Sequence, residues 1–234
     1  MAEAALETVP REIANHAAVR NQARRLGLKS SEVLLDRSYH HAAMGKLEDS
    51  NKRGRPDIVH FALMEALGTP LFLKGMLRLH VHTVNDKLIT IADNLRIPKS
   101  YFRFEGLMVG LFRDKAVKSD EGTLLMEISD GTLADLLDAI KLSQVIGLST
   151  TGVQGTAEKA VAENFADDCA FVVGGFPRGH FSESTTKLLN LTYSISDIGL
   201  EAHVVIARVL YECEKLLEKS VYHEGDEKRR QVGA

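Results

Sequence analysis

Val145-Ile146-Gly147-Leu148, the segment 157–165, and Ala170-Phe171-Val172-Val173-Gly174-Gly175 form the stretch whose reading decides the fold. The two flanking pieces are short apolar runs, each the length of a buried strand. Between them Ala157, Ala160, Val161 and Phe165 recur at helical spacing. Short strands alternating with helices predict an α/β domain with a largely parallel central sheet flanked by helices. Such sheets bind ligands at the carboxyl ends of their strands. That directs attention to the loops after Leu148, Val173 and Ile195.

The alternation continues outward. Toward the C-terminus Ala202, Val205, Ile206, Val209, Leu210, Cys213, Leu216 and Leu217 make an unbroken apolar stripe, the clearest helix in the chain. Beyond it, residues 225–234 read as a charged tail without fixed structure. In the other direction Leu133, Leu136, Leu137 and Ile140 mark a helix capped by Thr132, and residues 124–128 a strand. The runs 77–84 and 88–92, joined by Asn85-Asp86-Lys87, predict a hairpin, and residues 100–112 a helix. A further helix begins at Asp57, just after Pro56, with Ile58, Phe61, Ala62 and Ala66 on one face, and Gly68-Thr69-Pro70 ends it. Residues 37–56 read as a long loop, 33–35 as a buried strand and 11–26 as helical. There is no internal repeat and no low-complexity segment.

Composition bounds the rest. The chain has 234 residues, 44% hydrophobic and 26% charged, the values of a globular protein with a substantial core. Its 29 basic and 32 acidic residues leave a formal charge of −3, so a nucleic-acid partner requires cations gathered locally. Cys169 lies in an apolar run and Cys213 on an apolar helix face, and both read as buried free thiols. The first thirty residues carry charges throughout, unlike a secretory signal. No apolar run approaches the ~20 residues of a membrane-spanning helix. A cytoplasmic protein is expected.

Three segments can carry chemistry. Arg53-Gly-Arg55-Pro-Asp57 sets two guanidiniums, a glycine and a helix N-terminus side by side, an arrangement that grips phosphate. Asp57 can hold an arginine fork in place, although composition alone favours a solvated loop with a capping aspartate. Arg96-Ile-Pro-Lys99-Ser-Tyr101-Phe102-Arg103-Phe104 interleaves cations with aromatics, as RNA surfaces often do. Residues 96–118 hold six basic and two acidic side chains, a local +4, and an ordinary charged helix face reads equally well. Val173-Gly174-Gly-Phe-Pro-Arg-Gly179-His180 follows a strand, so its glycines permit close backbone approach to a ligand, or simply a tight turn. It matches neither the P-loop nor the dinucleotide fingerprint. His40-His41 and the pair His80 and His82 lack a carboxylate or cysteine to complete a ligand set, so no metal is expected. No GxSxG elbow occurs.

Together these segments resemble the ribosome-biogenesis pseudouridine N1-methyltransferases of small-subunit rRNA, a family of the SPOUT, trefoil-knotted class, in its compact archaeal form. The likeness runs from Leu34-Leu35-Asp36 to the last helix. It rests on Arg53-Gly-Arg-Pro-Asp57-Ile58, Arg96-Ile-Pro-Lys-Ser-Tyr-Phe-Arg-Phe-Glu-Gly-Leu-Met108 and Gly174-Gly-Phe-Pro-Arg-Gly179. The resemblance implies one SPOUT-like domain over residues 1–224, with an N-terminal helix and family insertions, that binds S-adenosylmethionine and works as a homodimer. Its partner is then small-subunit rRNA, with ribosomal proteins or assembly factors nearby. By the same resemblance Arg53, Arg55, Arg96, Lys99 and Arg103 meet RNA, and Arg55 and Asp57 are the catalytic pair. Lys99 stands where the family often has arginine, which keeps the charge and loses the bidentate fork. The implied cofactor positions are Leu148, Ser149, Gly174, Gly179, Thr192, Tyr193, Ser194, Ile195, Ser196 and Asp197.

The implied nucleophile is N1 of pseudouridine, which must lose its proton. A sulfonium methyl is already activated, so positioning and a cationic field are the main tasks. A carboxylate held by arginine makes a poor base, which favours an orienting role for Asp57. An rRNA-binding assembly factor with secondary catalysis, and a knotted methyltransferase acting on another RNA, are the alternatives.

Overall fold

The computed structural model describes residues 1–93 and 95–232, with side chains as far as Glu218. Strands β1 (His80–His82), β2 (Lys87–Ile91), β3 (Ala116–Lys118) and β4 (Leu124–Asp130) form an antiparallel sheet in the order β1-β2-β4-β3. Strands β5 (Gln144–Gln154), β6 (Cys169–Val173) and β7 (Leu191–Ser194) form a second sheet, parallel throughout, in the order β6-β5-β7. The α/β class holds, but one largely parallel central sheet does not describe it. Only from β4 onward do strands and helices alternate one for one. Short turns join β1 to β2 and β3 to β4, and a short turn connects only antiparallel neighbours.

The helices are α1 (Ala17–Leu26), α2 (Arg37–Met44), α3 (Pro56–Leu67), α4 (Pro70–Leu73), α5 (Tyr101–Asp114), α6 (Leu133–Ile140), α7 (Ala157–Asn164), α8 (Glu183–Thr186) and α9 (Ala202–Val232). Local signals set their ends. Thr132 and Asp135 satisfy each other's backbone in a reciprocal cap on α6. Pro56 occupies the first turn of α3, where no N–H partner is required.

Four expectations change. Residues 37–56 are not one loop, because the Asp36 carboxylate accepts the Ser38 N–H at 2.8 Å and starts α2. Residues 33–35 are buried but make a single antiparallel bridge, Thr8 to Leu34, in place of a strand. Helix α1 begins at Ala17, later than the apolar spacing suggested. Helix α9 runs on to Val232, through the segment read as a charged tail, while Gly233 and Ala234 lie outside the described residues. Among the described residues no helix is long and apolar enough to cross a membrane.

Strand periodicity lets the parallel sheet bury both faces. Ile146, Leu148 and Val173 pack with Ala160 and Val161 of α7 and with Val209 and Cys213 of α9. Their neighbours Val145 and Val172 point the other way, against Leu133 of α6 and Ala2. The antiparallel sheet packs Val81, Ile89, Met126 and Ile128 against Val59 of α3 and Phe104, Met108 and Leu111 of α5.

Residues 1–5 join the two sheets. On one side the Ala2 N–H donates to Val173 O at 2.9 Å, and the N–H groups of Gly175 and Ala5 donate to Ala2 O and Gly175 O, each at 2.8 Å. On the other side His82 N–H donates to Met1 O, Ala4 N–H to His82 O and Val84 N–H to Ala4 O, at 2.9, 2.9 and 3.0 Å. Ala2, Ala4 and Ala5 are wholly buried, and only small side chains suit so crowded a slot. A Cβ on Gly175 would stand 2.6 Å from Ala4 Cα, so this crossing needs glycine.

Glu3 anchors the segment sideways. Its carboxylate accepts Lys52 Nζ at 2.8 Å and the Ser182 N–H at 2.7 Å. Burial alone would raise its pKa, but these donors bring it below the ordinary glutamate range. A carboxylate depressed in this way stabilises the fold above its unfolded pKa and loses that contribution as pH falls through the folded value. The stability gap between the wild type and Glu3→Gln, read by urea unfolding, is therefore expected to be full above pH ~5 and to narrow toward pH ~3. A gap independent of pH would refute the assignment.

Candidate active site and nucleic-acid interface

A cleft of about 350 Å³ lies at the carboxyl ends of the three parallel strands. Its walls come from the loops after β6 and β7, the break in β5 and the start of α9. The volume falls in the range of small-molecule sites. A second, smaller hollow of about 220 Å³ beside Glu7, Asn85 and Arg113 lies away from these strand ends.

The break in β5 helps to open the cleft. Leu148 and Val153 both pair with Tyr193, so residues 149–152 bulge out of the ladder and bring Ser149 and Thr150 to the cleft wall. A Cβ on Gly152 would lie 2.5 Å from Thr192 O, so only glycine lets the bulge close this tightly on β7. Across the cleft Gly174, Phe176 and Arg178 come from the loop after β6. Ile195 and Ser196 come from the loop after β7, and Leu200 and Glu201 lead into α9.

Of the sequence-predicted cofactor positions, Leu148, Ser149, Gly174, Gly179, Ile195 and Ser196 line this cleft. Thr192, Tyr193, Ser194 and Asp197 do not. Thr192 pairs with Gly147 inside the ladder, and the buried Tyr193 directs its hydroxyl to Glu163 on α7. Ser194 turns its hydroxyl to Ser196 O at 2.9 Å. Sequence reasoning missed Phe176, Arg178, Leu200 and Glu201. The first two sat inside a loop already singled out, whereas nothing in the pattern marked the residues before α9.

The cleft suits a ligand with a flat apolar part and polar edges. Leu148, Val173, Ile195 and Val205 supply apolar wall, and among the described hydrogen bonds none engages the backbone N–H of Gly199, Leu200 or Glu201. These are donors free for a ligand. The residues present fit an adenosine-type cofactor such as S-adenosylmethionine.

Arg55 closes the cleft from the α3 side, and Ile58 lines it beside Arg55. The guanidinium donates twice to Asp57, Nε to Oδ1 at 2.8 Å and Nη2 to Oδ2 at 2.7 Å. This bond, set against the cost of burial, raises the Arg55 pKa and keeps the group cationic. Both carboxylate oxygens of Asp57 are thus engaged by the side chain it orients.

Arg53 behaves differently. Its guanidinium forks onto Glu7 at 2.7 and 2.6 Å, and the two side chains are only 13% and 2% exposed. The sequence placed Arg53 with the RNA contacts, but its fork is turned inward onto a buried carboxylate. Arg96, Lys99 and Arg103 are exposed, and none has an ion pair or side-chain hydrogen bond among the described residues. Phe102, between Lys99 and Arg103, is 70% exposed.

This basic edge is tied to α3, whose first turn lines the cleft, and to Asp36. His60 Nε2 meets Pro98 O at 2.8 Å and its ring stacks on Phe104 at 4.5 Å. Tyr101 donates its hydroxyl to Asp36 at 2.6 Å. Burial first, then this bond, pushes the Tyr101 pKa up, so the donor stays protonated. Burial also raises the pKa of Glu105, one turn further along α5, whose Oε1 has no partner.

A small-ligand cleft at parallel strand ends, overhung by a fixed arginine and flanked by a cationic, aromatic edge, defines an α/β protein built to bring a cofactor to a polyanion. The family described as EMG1/NEP1 methyltransferase matches residues 1–214. The chain is 43% identical over 219 residues to the ribosomal RNA small subunit methyltransferase Nep1 of Thermococcus kodakarensis, covering 93% of this chain and 97% of that one. It is 39% identical over 214 residues to its counterpart in Staphylothermus marinus, covering 92% and 93%. Among solved structures it is similar to Archaeoglobus fulgidus Nep1 bound to S-adenosylhomocysteine, with a TM-score of 0.82, 34% identity, and 93% and 97% coverage. The chain belongs to the EMG1/NEP1 methyltransferase family.

Three outcomes follow for the site. A Cβ on Gly174 would stand 2.8 Å from the Phe176 ring, so Gly174→Val should displace that ring and abolish S-adenosylhomocysteine binding in calorimetry while the protein stays folded. Normal binding by the folded variant would remove Gly174 from the site. Arg103→Ala should weaken rRNA binding and flatten its salt dependence by about one unit of slope, with stability unchanged. Arg53→Ala should instead destabilise the fold by about 3–5 kcal/mol, because it strands buried Glu7. The reverse pattern in unfolding and filter-binding assays would overturn both placements.

Proposed function

We propose that this protein transfers a methyl group from S-adenosylmethionine to N1 of a pseudouridine in small-subunit rRNA during assembly of the small ribosomal subunit in the cytoplasm. The observation that carries the reading is Arg55, which lines the same cleft as the glycine loop and is fixed there by its two hydrogen bonds to Asp57. Membership of a methyltransferase family whose relatives are named for small-subunit rRNA supports it.

Bound S-adenosylmethionine supplies a methyl group already activated by its sulfonium. Leu148, Gly174, Ile195 and the N–H groups before α9 would hold it. Arg96, Lys99 and Arg103 engage phosphates, while Phe102 offers an aromatic face to an unstacked base. The Arg55 cation favours the deprotonated N1 of the target, since a fixed positive charge acts strongly where the apolar walls exclude water. Asp57 keeps that cation in place. In uridine N1 is bonded to the sugar, so only the isomer offers a free nitrogen.

The reading extends to a single SPOUT-like domain over residues 1–224, a trefoil knot in the C-terminal segment, and a homodimer. The parallel order β6-β5-β7, with the chain returning through the cleft walls into α9, supports the first two. Sedimentation equilibrium tests the dimer.

The decisive measurement is mass spectrometry of short small-subunit rRNA fragments incubated with the protein and S-adenosylmethionine. Fragments containing pseudouridine should gain one methyl group and their uridine versions none. Methylated uridine fragments would sink the N1 assignment. On the same fragments Asp57→Asn should lower RNA affinity, because Arg55 loses its hold. Intact affinity with turnover reduced ~10²–10⁴-fold would make Asp57 a general base instead.

A further inference from the structure

Lys52 immediately precedes the Arg53–Asp57 motif, where a further cation could be taken for one more phosphate contact. Its surroundings say otherwise. The ammonium pairs with Glu3 at 2.8 Å, in side chains only 19% and 11% exposed. It also donates to the carbonyl oxygen of His180 and sits 4.6 Å from the centre of the Phe176 ring. A Cβ built on Gly179 would come within 3.4 Å of the Lys52 side chain. Glu3, for its part, accepts the Ser182 N–H at 2.7 Å.

The Lys52 contacts to Phe176, Gly179 and His180 fall on one loop. Residues 174–181 supply Gly174, Phe176, Pro177, Arg178, Gly179 and Phe181 to the cleft wall. Phe176 and Phe181 meet edge to face at 5.8 Å, so holding one ring helps to hold the other. Lys52 thus grips the start of the loop through a cation–π contact and its end through a carbonyl, with Glu3 fixing both the ammonium and the residue after the loop.

We propose that Lys52 is a positioning residue for the cofactor, shaping the loop 174–181 from behind and making no contact with RNA. The proposal rests on the reading of the cleft as the S-adenosylmethionine site. A partly desolvated cation over an aromatic ring, backed by an ion pair, is a stiff clamp where a neutral side chain would let the loop wander. A loop that must be ordered on binding lowers affinity, so the clamp acts by preorganisation.

The test is calorimetric titration of S-adenosylhomocysteine into the wild type, Lys52→Met and Lys52→Arg, with RNA-fragment binding measured across a salt series on each. Lys52→Met should bind S-adenosylhomocysteine roughly tenfold more weakly, the scale of a lost cation–π contact and ion pair. Its RNA affinity and salt slope should match the wild type, and Lys52→Arg should recover most of the loss, which a purely structural role would not require. Should Lys52→Met fail to fold with Glu3 unpaired, the double variant Glu3→Gln, Lys52→Met leaves no buried lone carboxylate and takes its place. Unchanged S-adenosylhomocysteine affinity, or an RNA salt slope shallower by about one unit, overturns the proposal for Lys52 alone. No binding by the wild type removes the cofactor assignment of the cleft, and the role of Lys52 with it.

Discussion

The hydrogen bonds that residues 1–5 make on both of their edges hold the rest of this structure in place. Without them the parallel sheet and the antiparallel sheet share no strand pairing, since each is complete in its own ladder. With them β6 is fixed to β1. The loop that leaves β6 then lies against Lys52, and the residues that follow Lys52 carry Arg55 into the cleft. The glycine-loop wall of the cleft and Arg55 come from opposite halves of the chain, and this short buried segment sets the distance between them.

Charge placement follows from that geometry. Three cations stand in the six residues 52–57, and each has a different carboxylate: Lys52 has Glu3, Arg53 has Glu7 and Arg55 has Asp57. The first two carboxylates belong to the N-terminal segment and are nearly buried, so those cations knit the fold. The third pair is more open, with Arg55 36% and Asp57 29% exposed, and faces the cleft. Burying a charge is tolerable only when it is paired and hydrogen-bonded. The motif therefore divides by depth, into two pairs that knit the fold and one that opens on the cleft.

Much of this was legible in the sequence, for a physical reason. The runs around Leu148 and Val173 were apolar and short, the helix between them was periodic, and the glycine turn after β6 stood where parallel sheets place ligands. Phe102 and Arg103 stand in the first turn of α5 and Lys99 just before its cap, and the sequence marked all three as one run of interleaved cations and aromatics. The N-terminal segment was illegible because alanines interrupted by Glu3 and Glu7 show neither strand alternation nor a hydrophobic run, and their partners lie far along the chain. Asp36 hid for the same reason, as a helix cap reads only when the helix after it is recognised. The inward turn of Arg53 onto Glu7 was illegible, since spacing carries no information about which long side chain turns inward. The ladder residues Thr192 and Tyr193 sit next to cleft residues in the chain, yet pleating and pairing point them elsewhere.

The buried segment also sets an order of events during folding. Ala2 pairs with Val173 and Ala5 with Gly175, so residues at one end of the chain must wait for β6 before they acquire partners. Helices α1, α2 and α3 can form from local contacts during that interval, whereas the seam between the two sheets closes only by long-range search, which is slow. Until it closes, Gly175 has no crossing strand, Lys52 has no carboxylate and the wall of the cleft has no backing. Binding competence would then be among the last properties this chain acquires, arriving in the same step that fastens its two sheets together.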